Sequence, residues 1–464
     1  MYQIDFSRPA HIHFIGIGGI SMSGLAAILL DRGFTVSGSD SKKSELTAHL
    51  GELGARISVP QSAANVTGDI DLVVYTAAIH PDNPEYAAAE AAGIPMMSRA
   101  ELLGQLMKNY PISAAVAGTH GKTTTTSMIA HIMMAQKLDP TISVGGILPS
   151  IGGNIRIGGS DYFLTEACEY TNSFLHLQPM IGIILNIDAD HLDFFHDLDD
   201  IRHSFRLFAE KIPVGGTLLI HAQIPDLKTF SEGLPCRVVT FGAGCGDYHA
   251  EHITWDELGC ASFDLYASDR AEKEDRLLGH FSLHVPGAHN VDNAAAAIAC
   301  ADLLGVSGET IAEGLSSFYG TDRRFQKKGV VGGVTIIDDY AHHPTEIRAT
   351  LQAAKKYPAK RIWCVFQPHT YSRTKALLDE FADALTLADQ VVLADIYAAR
   401  ETDTLGVSSE LLGQKIAEKG TDVWYFPTFD EIETFLLEKC APGDLLITMG
   451  AGDVFKIGER LLGK

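Results

Sequence analysis

Short apolar runs alternate with longer helix-like segments along almost the whole chain. Three blocks show this pattern, and each begins with a β-like run: HIHFIGI at 11–17, ISAAVAG at 112–118 and GVTIIDD at 333–339. Strands that alternate with helical segments are typical of parallel βαβ units. At 464 residues the chain is also too long for a single hydrophobic core. We therefore expect an α/β protein of three domains. Their predicted bounds are 1–110, 111–322 and 323–464.

A glycine-rich turn, GIGGISMSG at 16–24, follows the first β-like run. Gly16 and Gly18 allow a tight turn and let a pyrophosphate approach the N-terminus of the next helix. Asp40 follows the second predicted strand, where dinucleotide folds place a ribose-binding carboxylate. Ser21 occupies the third glycine position of the dinucleotide fingerprint, however. The turn predicts a Rossmann-like domain that binds some nucleotide, and a turn of small residues that serves packing alone stays open as the alternative.

A second glycine-rich turn, GTHGKTTTT at 118–126, follows the first strand of the central block. The backbone N–H groups of residues 118–122 can wrap phosphate oxygens, and Lys122 can reach the β- and γ-phosphates. Thr123 or Thr124 can ligate magnesium. A chance GKT at a helix N-cap is the alternative, but the strand–loop–helix context disfavours it. The turn predicts a central P-loop ATPase-like domain that binds ATP.

Polar residues follow two further strands of the central block. Glu166 and Glu169 come at or after DYFLTEA, and Asp190 and His191 come shortly after IGIILNI. Carboxylates are natural oxygen ligands for Mg²⁺, which neutralises the charge that develops during phosphoryl transfer. His191 is a candidate ligand for a second metal ion, and an ordinary surface or capped histidine is the alternative.

The third block also places polar residues at strand ends and has a doubly wound α/β pattern. Asp339 and His342 lie at and after one strand, and Arg373 follows the next. Arg323 and Arg324 lie in a hinge that precedes the block, where a cation can close onto a triphosphate. Ligands of doubly wound sheets bind at the carboxyl ends of the strands. The clustering therefore favours a binding site over a solvated arginine pair and a capped helix start.

Composition limits the partners and the compartment. A formal net charge of -22 argues against a nucleic acid or an anionic membrane as partner. Seven scattered cysteines without a CxxC pair fit reduced thiols rather than disulfides or a zinc site. The N-terminus lacks the layout of a signal peptide, and no apolar run approaches the length of a membrane span. We expect a cytoplasmic protein without membrane insertion, whose oligomeric state the sequence does not indicate.

The chain resembles the Mur ligases, ATP-dependent enzymes that form amide bonds in peptidoglycan synthesis, and the resemblance covers essentially its whole length. DDYAHHPTEI at 338–347 and QPHTYSRT at 367–374 are typical of the alanine-adding members. The resemblance implies ligation of L-alanine to the carboxylate of UDP-N-acetylmuramate through an acyl phosphate, with ADP and phosphate as products. The other stretches that carry it are HFIGIGGISMSG, GTHGKTTTT, EACEYTNSFL, NIDADHLD, HNVDN, GTDRRFQ and DIYAARE.

The resemblance also implies roles for individual residues. The first domain is expected to bind the UDP-sugar, the central domain ATP and Mg²⁺, and the third the amino acid. The implied contacts with ATP are Gly118, Thr119, His120, Gly121, Lys122, Thr123, Thr124, Asn290, Arg324 and Asp339. The implied metal ligands are Thr123, Glu166 and His191. The implied substrate contacts are Gly16, Gly18, Gly19, Tyr340, His342 and Arg373. The implied catalytic residues are Lys122, Glu166, His191, His342 and Arg373.

Three alternatives remain at the level of sequence. A ligase that attaches a recycled cell-wall peptide to the same sugar nucleotide shares the P-loop, and Thr370 stands where alanine-adding members commonly have arginine. A nucleotide-dependent oxidoreductase would use the first glycine turn. A non-catalytic ATP-binding regulator is disfavoured, because a protein that only binds ATP does not need Lys122, Glu166 and His191 together, with a carboxylate placed for magnesium.

Overall fold

The computed structural model describes residues 2–76, 78–192, 194–269, 274–399 and 401–464. Within this part of the chain, the strands form three sheets flanked by helices. The predicted α/β class with three sheet-containing domains is confirmed. Ala77 of DLVVYTAAI (71–79), which predicts a strand, lies outside the described residues, as do Asp193 of NIDADHLD and Arg400 of DIYAARE.

The first sheet is parallel. Its strands are β1 (His11–Ile15), β2 (Thr35–Ser39), β3 (Arg56–Ser58), β4 (Leu72–Tyr75) and β5 (Met96–Ser98). The strand order is β3-β2-β1-β4-β5. The direction of winding therefore reverses beside β1, and ligands of such sheets bind at this switch point. The helices are α1 (Ile20–Asp31), α2 (Glu45–Glu52), α3 (Pro84–Ala92) and α4 (Arg99–Met107).

The second sheet is the largest and carries the P-loop. Its strands are β6 (Ile112–Ala117), β7 (Thr141–Leu148), β8 (Gly153–Arg156), β9 (Tyr162–Glu166), β10 (Ile181–Ile184), β11 (Thr217–His221), β12 (Arg237–Ala243), β13 (Tyr248–Trp255), β14 (Cys260–Asp269) and β15 (Glu274–Pro286). The strand order is β15-β14-β13-β12-β11-β10-β6-β9-β7-β8. The helices are α5 (Lys122–Ala135), α6 (Leu198–Ala209), α7 (Leu227–Ser231), α8 (His289–Leu303) and α9 (Gly308–Ser316).

Polar alternation with Gly and Asp turns from about Cys236 to Pro286 predicts an antiparallel edge of this sheet, and the structure confirms this prediction only in part. β13, β14 and β15 pair antiparallel as expected. β12 instead runs parallel to both β11 and β13. The pairing with β11 follows from the connection between the two strands, because a chain that returns through the helix α7 can add a parallel strand.

The third sheet is parallel apart from its first strand, which pairs antiparallel at one edge. Its strands are β16 (Gln326–Val331), β17 (Val334–Asp339), β18 (Ile362–Phe366), β19 (Gln390–Leu393), β20 (Asp422–Tyr425) and β21 (Leu445–Met449). Their order is β16-β17-β21-β18-β19-β20. The helices are α10 (Pro344–Ala354), α11 (Tyr371–Ala376), α12 (Leu378–Leu385), α13 (Ser409–Glu418), α14 (Phe429–Lys439) and α15 (Phe455–Leu461). The sequence pattern predicts a helix from Arg373 onwards. In the structure this helix begins at Tyr371 and is interrupted at Leu377, whose φ of -118° and ψ of 28° are not helical.

Buried apolar side chains lie between each sheet and its helices. In the second sheet, Val116 of β6 and Ile183 of β10 are fully buried. Residues 294–301 of α8, mostly alanine, are buried throughout, because small side chains let this helix lie close to the sheet. No helix in the described part of the chain is long and apolar enough to cross a bilayer.

The first domain rests on the second through α1. A Cβ atom added to Gly24 would lie 1.9 Å from Cδ1 of Ile155, so only glycine permits this approach. Asn154 also donates from Nδ2 to the carbonyl oxygen of Ile20 at 3.0 Å. These contacts fix the start of α1, and with it the first glycine turn, against the central domain.

Candidate active site

The P-loop connects β6 to α5 through two glycines in left-handed conformations. Gly118 and Gly121 have φ values of +148° and +84°, which residues with a Cβ atom rarely adopt. A Cβ atom on Gly121 would also lie 2.5 Å from Oδ1 of Asn293. No side chain caps the N-terminus of α5 among the described residues. The loop therefore presents the backbone N–H groups of a helix N-terminus, an arrangement that favours anions.

Lys122 begins α5 and forms a buried ion pair with Glu169. Its Nζ donates to Oε2 of Glu169 at 2.9 Å and to the carbonyl oxygen of Thr119 at 3.1 Å. The Glu169 side chain is only 3% exposed. Burial by itself would lower the pKa of Lys122, but the Glu169 carboxylate raises it above its ordinary value. Lys122 is therefore a cation at the turn, and Glu169, named from sequence as a possible metal ligand, is its ion-pair partner.

Two of the predicted metal ligands lie in direct contact. Oγ1 of Thr123 donates to Oε2 of Glu166 at 3.1 Å, and the other carboxylate oxygen accepts from the Gly145 backbone. Burial raises the pKa of Glu166, since the site holds this carboxylate away from water. A hydroxyl next to a desolvated carboxylate is the oxygen donor set that Mg²⁺ prefers, so these residues fit the ion.

His191 lies on the far side of the Lys122 ion pair. Its Nε2 is 3.7 Å from Oε1 of Glu169, and its ring packs on Tyr170 with 4.6 Å between centroids. Burial lowers the pKa of His191, so the imidazole is neutral near pH 7, the form that binds metal.

A cavity of about 390 Å³ adjoins the P-loop, and residues of both the central and the C-terminal domain line it. This volume lies in the range of small-molecule sites. Leu185, Phe241 and Val285 contribute apolar surface. The predicted ATP contacts that line the cavity are His120, Gly121, Thr124, Asn290, Arg324 and Asp339. The other predicted ATP contacts belong to the P-loop and the start of α5 but do not line the cavity. These residues, which the structure describes, are Gly118, Thr119, Lys122 and Thr123.

Backbone groups hold the polar side chains of this cavity in place. Asp339 accepts from the N–H groups of Phe325 and Ala341 at 2.8 and 2.7 Å, and burial raises its pKa to about 6. Asn290 donates to a backbone carbonyl and accepts from Nδ2 of Asn293 at 3.0 Å. Sequence analysis gave no role to Asn293, although the HNVDN stretch contains it. Its contact with Asn290 and its closeness to Gly121 place it in the site.

The predicted amino-acid contacts lie where the C-terminal domain meets the central one. Nε of Arg373 donates to Oδ1 of Asp190 at 2.9 Å, and the two side chains are only 11% and 7% exposed. The rings of His342 and His369 are 6.0 Å apart. The Tyr340 ring packs at 5.4 Å from His342 and also under Arg324. The structure thus brings Tyr340, His342 and Arg373 to one interdomain surface.

The first glycine turn is a tight turn held by a side chain that follows β2. Gly16 has a φ of +84°, as a tight turn requires. Asp40, the candidate ribose partner, accepts a hydrogen bond from the Gly18 backbone at 2.9 Å. Its carboxylate therefore braces the turn. Gly19 precedes α1, and no side chain caps this helix among the described residues.

Three family models match the chain in succession. They are the Mur ligase catalytic domain at residues 11–111, the Mur ligase middle domain at 116–301 and the Mur ligase glutamate ligase domain at 323–452. A UDP-N-acetylmuramate–L-alanine ligase from Lachnospira eligens is 61% identical over 464 residues, with 100% of each chain covered. The chain belongs to the Mur ligase family.

This Mur ligase is similar to further ligases of cell-wall synthesis. A UDP-N-acetylmuramate–L-alanine ligase from Agathobacter rectalis is 61% identical over 465 residues, with 100% of each chain covered. The solved structure of a UDP-N-acetylmuramate-alanine ligase from Thermotoga maritima matches with a TM-score of 0.80 at 31% identity, over 98% of each chain. The solved structure of a murein peptide ligase from Psychrobacter arcticus matches with a TM-score of 0.72 at 27% identity, also over 98% of each chain. The resemblance inferred from the sequence motifs is confirmed.

A polar cluster joins the P-loop of this Mur ligase to α10. The ring of His120 lies 4.7 Å from that of His343, and its Nε2 is 3.4 Å from Oδ2 of Asp188. Donor atoms of these three residues lie within 4.8 Å of one another, which is close enough for a metal site. However, Nε2 of His343 bonds to the Ala189 carbonyl and Nδ1 accepts from Thr345. The cluster is therefore an interdomain contact made by the protein's own hydrogen bonds.

The charge of His120 gives this contact a pH dependence. Burial would lower the pKa of His120, but Asp188 and Glu346 raise it from 6.5 to about 9. The folded protein therefore holds a proton here more tightly than the unfolded chain. This proton stabilises the folded protein by at most about 3 kcal/mol. The stabilisation is complete when the pH lies below the pKa of His120 in the unfolded chain. It disappears as the pH rises through the pKa of His120 in the folded protein.

We expect the melting temperature of the wild type to fall relative to that of His120→Gln between about pH 7 and pH 10. Thermal unfolding across this range measures the difference. His49→Gln, a substitution of an exposed histidine on α2, is the control and should follow the wild type. If the melting temperatures of the wild type and His120→Gln changed in parallel with pH, His120 would not carry the proton assigned to it.

Proposed function

We propose that this Mur ligase joins L-alanine to the carboxylate of UDP-N-acetylmuramate and cleaves ATP to ADP and phosphate in the same reaction. The observation that carries the proposal is the full-length identity of 61% to two relatives that bear this activity in their names. A structure with 31% identity over 98% of the chain bears the corresponding name. The site supports the proposal, because a P-loop cation, a pair of oxygen donors that fit a magnesium ion and an interdomain cavity lie together.

The first step transfers the γ-phosphoryl group of ATP. An oxygen of the substrate carboxylate attacks the γ-phosphorus, the bond to the bridging oxygen breaks, and an acyl phosphate and ADP form. Lys122 stabilises the negative charge of the transferring group. Thr123 and Glu166 would hold one Mg²⁺ and His191 a second. When bound, these ions neutralise charge on the phosphate oxygens. Arg324 contributes a further cation from the hinge.

The second step forms the amide bond. The alanine amine attacks the acyl carbonyl, a tetrahedral intermediate forms, and phosphate leaves. We assign the carboxylate of L-alanine to Arg373 and its amine to the surface near His342 and Tyr340. Because the Arg373–Asp190 pair crosses between domains, binding of the amino acid is linked to domain closure, which keeps water from the acyl phosphate.

We assign the adenosine of ATP to the cavity and the diphosphate of the UDP-sugar to the first domain. Asn290 and Asp339 are assigned to the adenosine of ATP. Gly16, Gly18 and Gly19 are assigned to the diphosphate of the UDP-sugar, at the N-terminus of α1. Both nucleotide substrates belong to the cytoplasm, where we propose that the reaction takes place.

Phosphate release from ATP tests the proposal. The assay contains Mg²⁺ and UDP-N-acetylmuramate and compares L-alanine with other amino acids and short peptides. We expect release to require both the sugar nucleotide and L-alanine, to stop on chelation of Mg²⁺, and to resume when Mg²⁺ is restored. Dependence on a peptide instead of L-alanine would favour a recycling ligase, a possibility that the fold similarity to a murein peptide ligase makes specific. Release that no acceptor stimulates would overturn the proposal.

A further inference from the structure

Glu346 is a buried carboxylate to which the proposed reaction gives no role. It is the third residue of α10, and its side chain is 11% exposed. It also lines the cavity beside the P-loop. A buried carboxylate is costly unless cations or hydrogen-bond donors surround it, so its contacts need an explanation.

The two carboxylate oxygens of Glu346 face different parts of the site. Oε2 accepts from the His342 backbone N–H at 3.1 Å and lies 3.3 Å from Nδ1 of the same residue. Oε1 lies 3.4 Å from Nδ1 of His120 and 3.6 Å from Nη1 of Arg324. One oxygen therefore contacts the proposed amino-acid surface, and the other contacts the P-loop and the hinge arginine.

These contacts keep Glu346 ionised despite its burial. Burial would raise the pKa of this carboxyl group, but the positive charges of His120 and Arg324 hold it well below the ordinary value. A permanent negative charge thus lies among groups from the central domain, the hinge and the C-terminal domain. Such a charge orients every donor that faces it.

Glu346 and the Tyr340 carbonyl together determine the hydrogen position on His342. Nδ1 of His342 faces two acceptors, Oε2 of Glu346 and the carbonyl oxygen of Tyr340 at 3.0 Å. Burial lowers the pKa of His342 to about 3, so the ring is neutral. The single ring hydrogen therefore lies on Nδ1, and Nε2 keeps its lone pair.

We propose that Glu346 is a positioning residue that couples the nucleotide side of the site to the amino-acid side. Through Oε1 it holds Arg324 and His120 beside the cavity, and through Oε2 it holds His342 in one orientation and tautomer. This inference rests on the proposed function, because it assigns L-alanine to the His342 side and ATP to the Arg324 side. Loss of the carboxylate then weakens the binding of both substrates.

Steady-state kinetics of Glu346→Gln test the proposal. Glutamine keeps the size of the side chain but replaces one acceptor oxygen by a donor and removes the charge. We expect the KM values for ATP and for L-alanine each to rise about tenfold, as for the loss of a charge-assisted hydrogen bond. A merely structural role would lower the active fraction, and hence kcat, while both KM values stayed at wild-type levels.

A second variant covers the possibility that Glu346→Gln folds poorly. Glu346→Asp keeps the charge, but its shorter side chain cannot reach both sets of partners, so we expect at least one KM to rise. Glu431→Gln is the matched control, because Glu431 is the third residue of α14 and is exposed. Its KM values should equal those of the wild type.

Two results would overturn the role of Glu346. One is wild-type KM values for both substrates in Glu346→Gln, and the other is wild-type kinetics in Glu346→Asp. Wild-type phosphate release with L-alanine is measured first. Its absence would contradict the proposed function, whereas normal wild-type activity with unchanged KM values in the variants would contradict only the coupling role.

Discussion

Replacement of Lys122 by methionine is expected to lower kcat for phosphate release by about a thousandfold. Methionine retains most of the side-chain volume but removes the cation next to the transferring phosphoryl group. Charge stabilisation in the transition state is lost, while the backbone amides of the P-loop still bind the phosphates of ATP. We therefore expect kcat to fall much more than the affinity for a non-hydrolysable ATP analogue, which equilibrium titration measures.

The ion pair with Glu169 complicates the interpretation of this variant. Without Lys122 the Glu169 carboxylate is buried and unpaired, a change that costs about 3–5 kcal/mol. The double variant Lys122→Met/Glu169→Gln removes both charges. We expect the double variant to recover much of the melting temperature and none of the activity, which separates the catalytic loss from the loss of stability.

Lys137→Met is the control for the loss of a lysine. Lys137 is exposed and follows the C-terminal end of the same helix, α5. The Lys137→Met variant should retain the wild-type kcat and melting temperature. If the Lys122 double variant regained substantial phosphate release along with its stability, the assigned role of Lys122 would be wrong.

The parts of the fold that sequence predicts are those encoded locally. The strand–turn–helix at 112–137 shows its buried strand, its glycines and its N-terminal lysine in consecutive residues, and the structure confirms each. Asn293 was harder to assign, because its position is defined by contact with Gly121 across the fold. The parallel pairing of β12 likewise depends on a strand that is distant in the chain.

The contacts between domains are the features that sequence reasoning missed. Arg373 and Asp190 are 183 residues apart, and no local pattern joins them. Glu346 looks like an ordinary acidic residue in the first turn of a helix, where such residues are common for electrostatic reasons. Only the packing of α10 against the P-loop brings His120 and Arg324 to it. Burial of a charge depends on tertiary structure, so it is visible only once the domains are assembled.

Replacement of Arg373 by methionine is expected to raise the KM for L-alanine by about a hundredfold, as for the loss of a charge-assisted contact with the alanine carboxylate. The KM for ATP should change far less, because Asn290, Arg324 and Asp339 remain in place. Kinetics with each substrate varied in turn measure this difference. Arg348→Met is the control, since Arg348 is exposed on α10 of the same domain, and it should retain both KM values.

The partner of Arg373 provides a second and independent readout. Burial would raise the pKa of Asp190, but Arg373 holds it well below the ordinary value. In Arg373→Met this carboxylate is unpaired, so the melting temperature should fall and Asp190→Asn should restore it. The double variant should still bind L-alanine poorly, because the guanidinium group is absent. If Asp190→Asn restored the alanine KM as well, Arg373 would act through domain closure alone, and its assignment to the substrate carboxylate would be wrong.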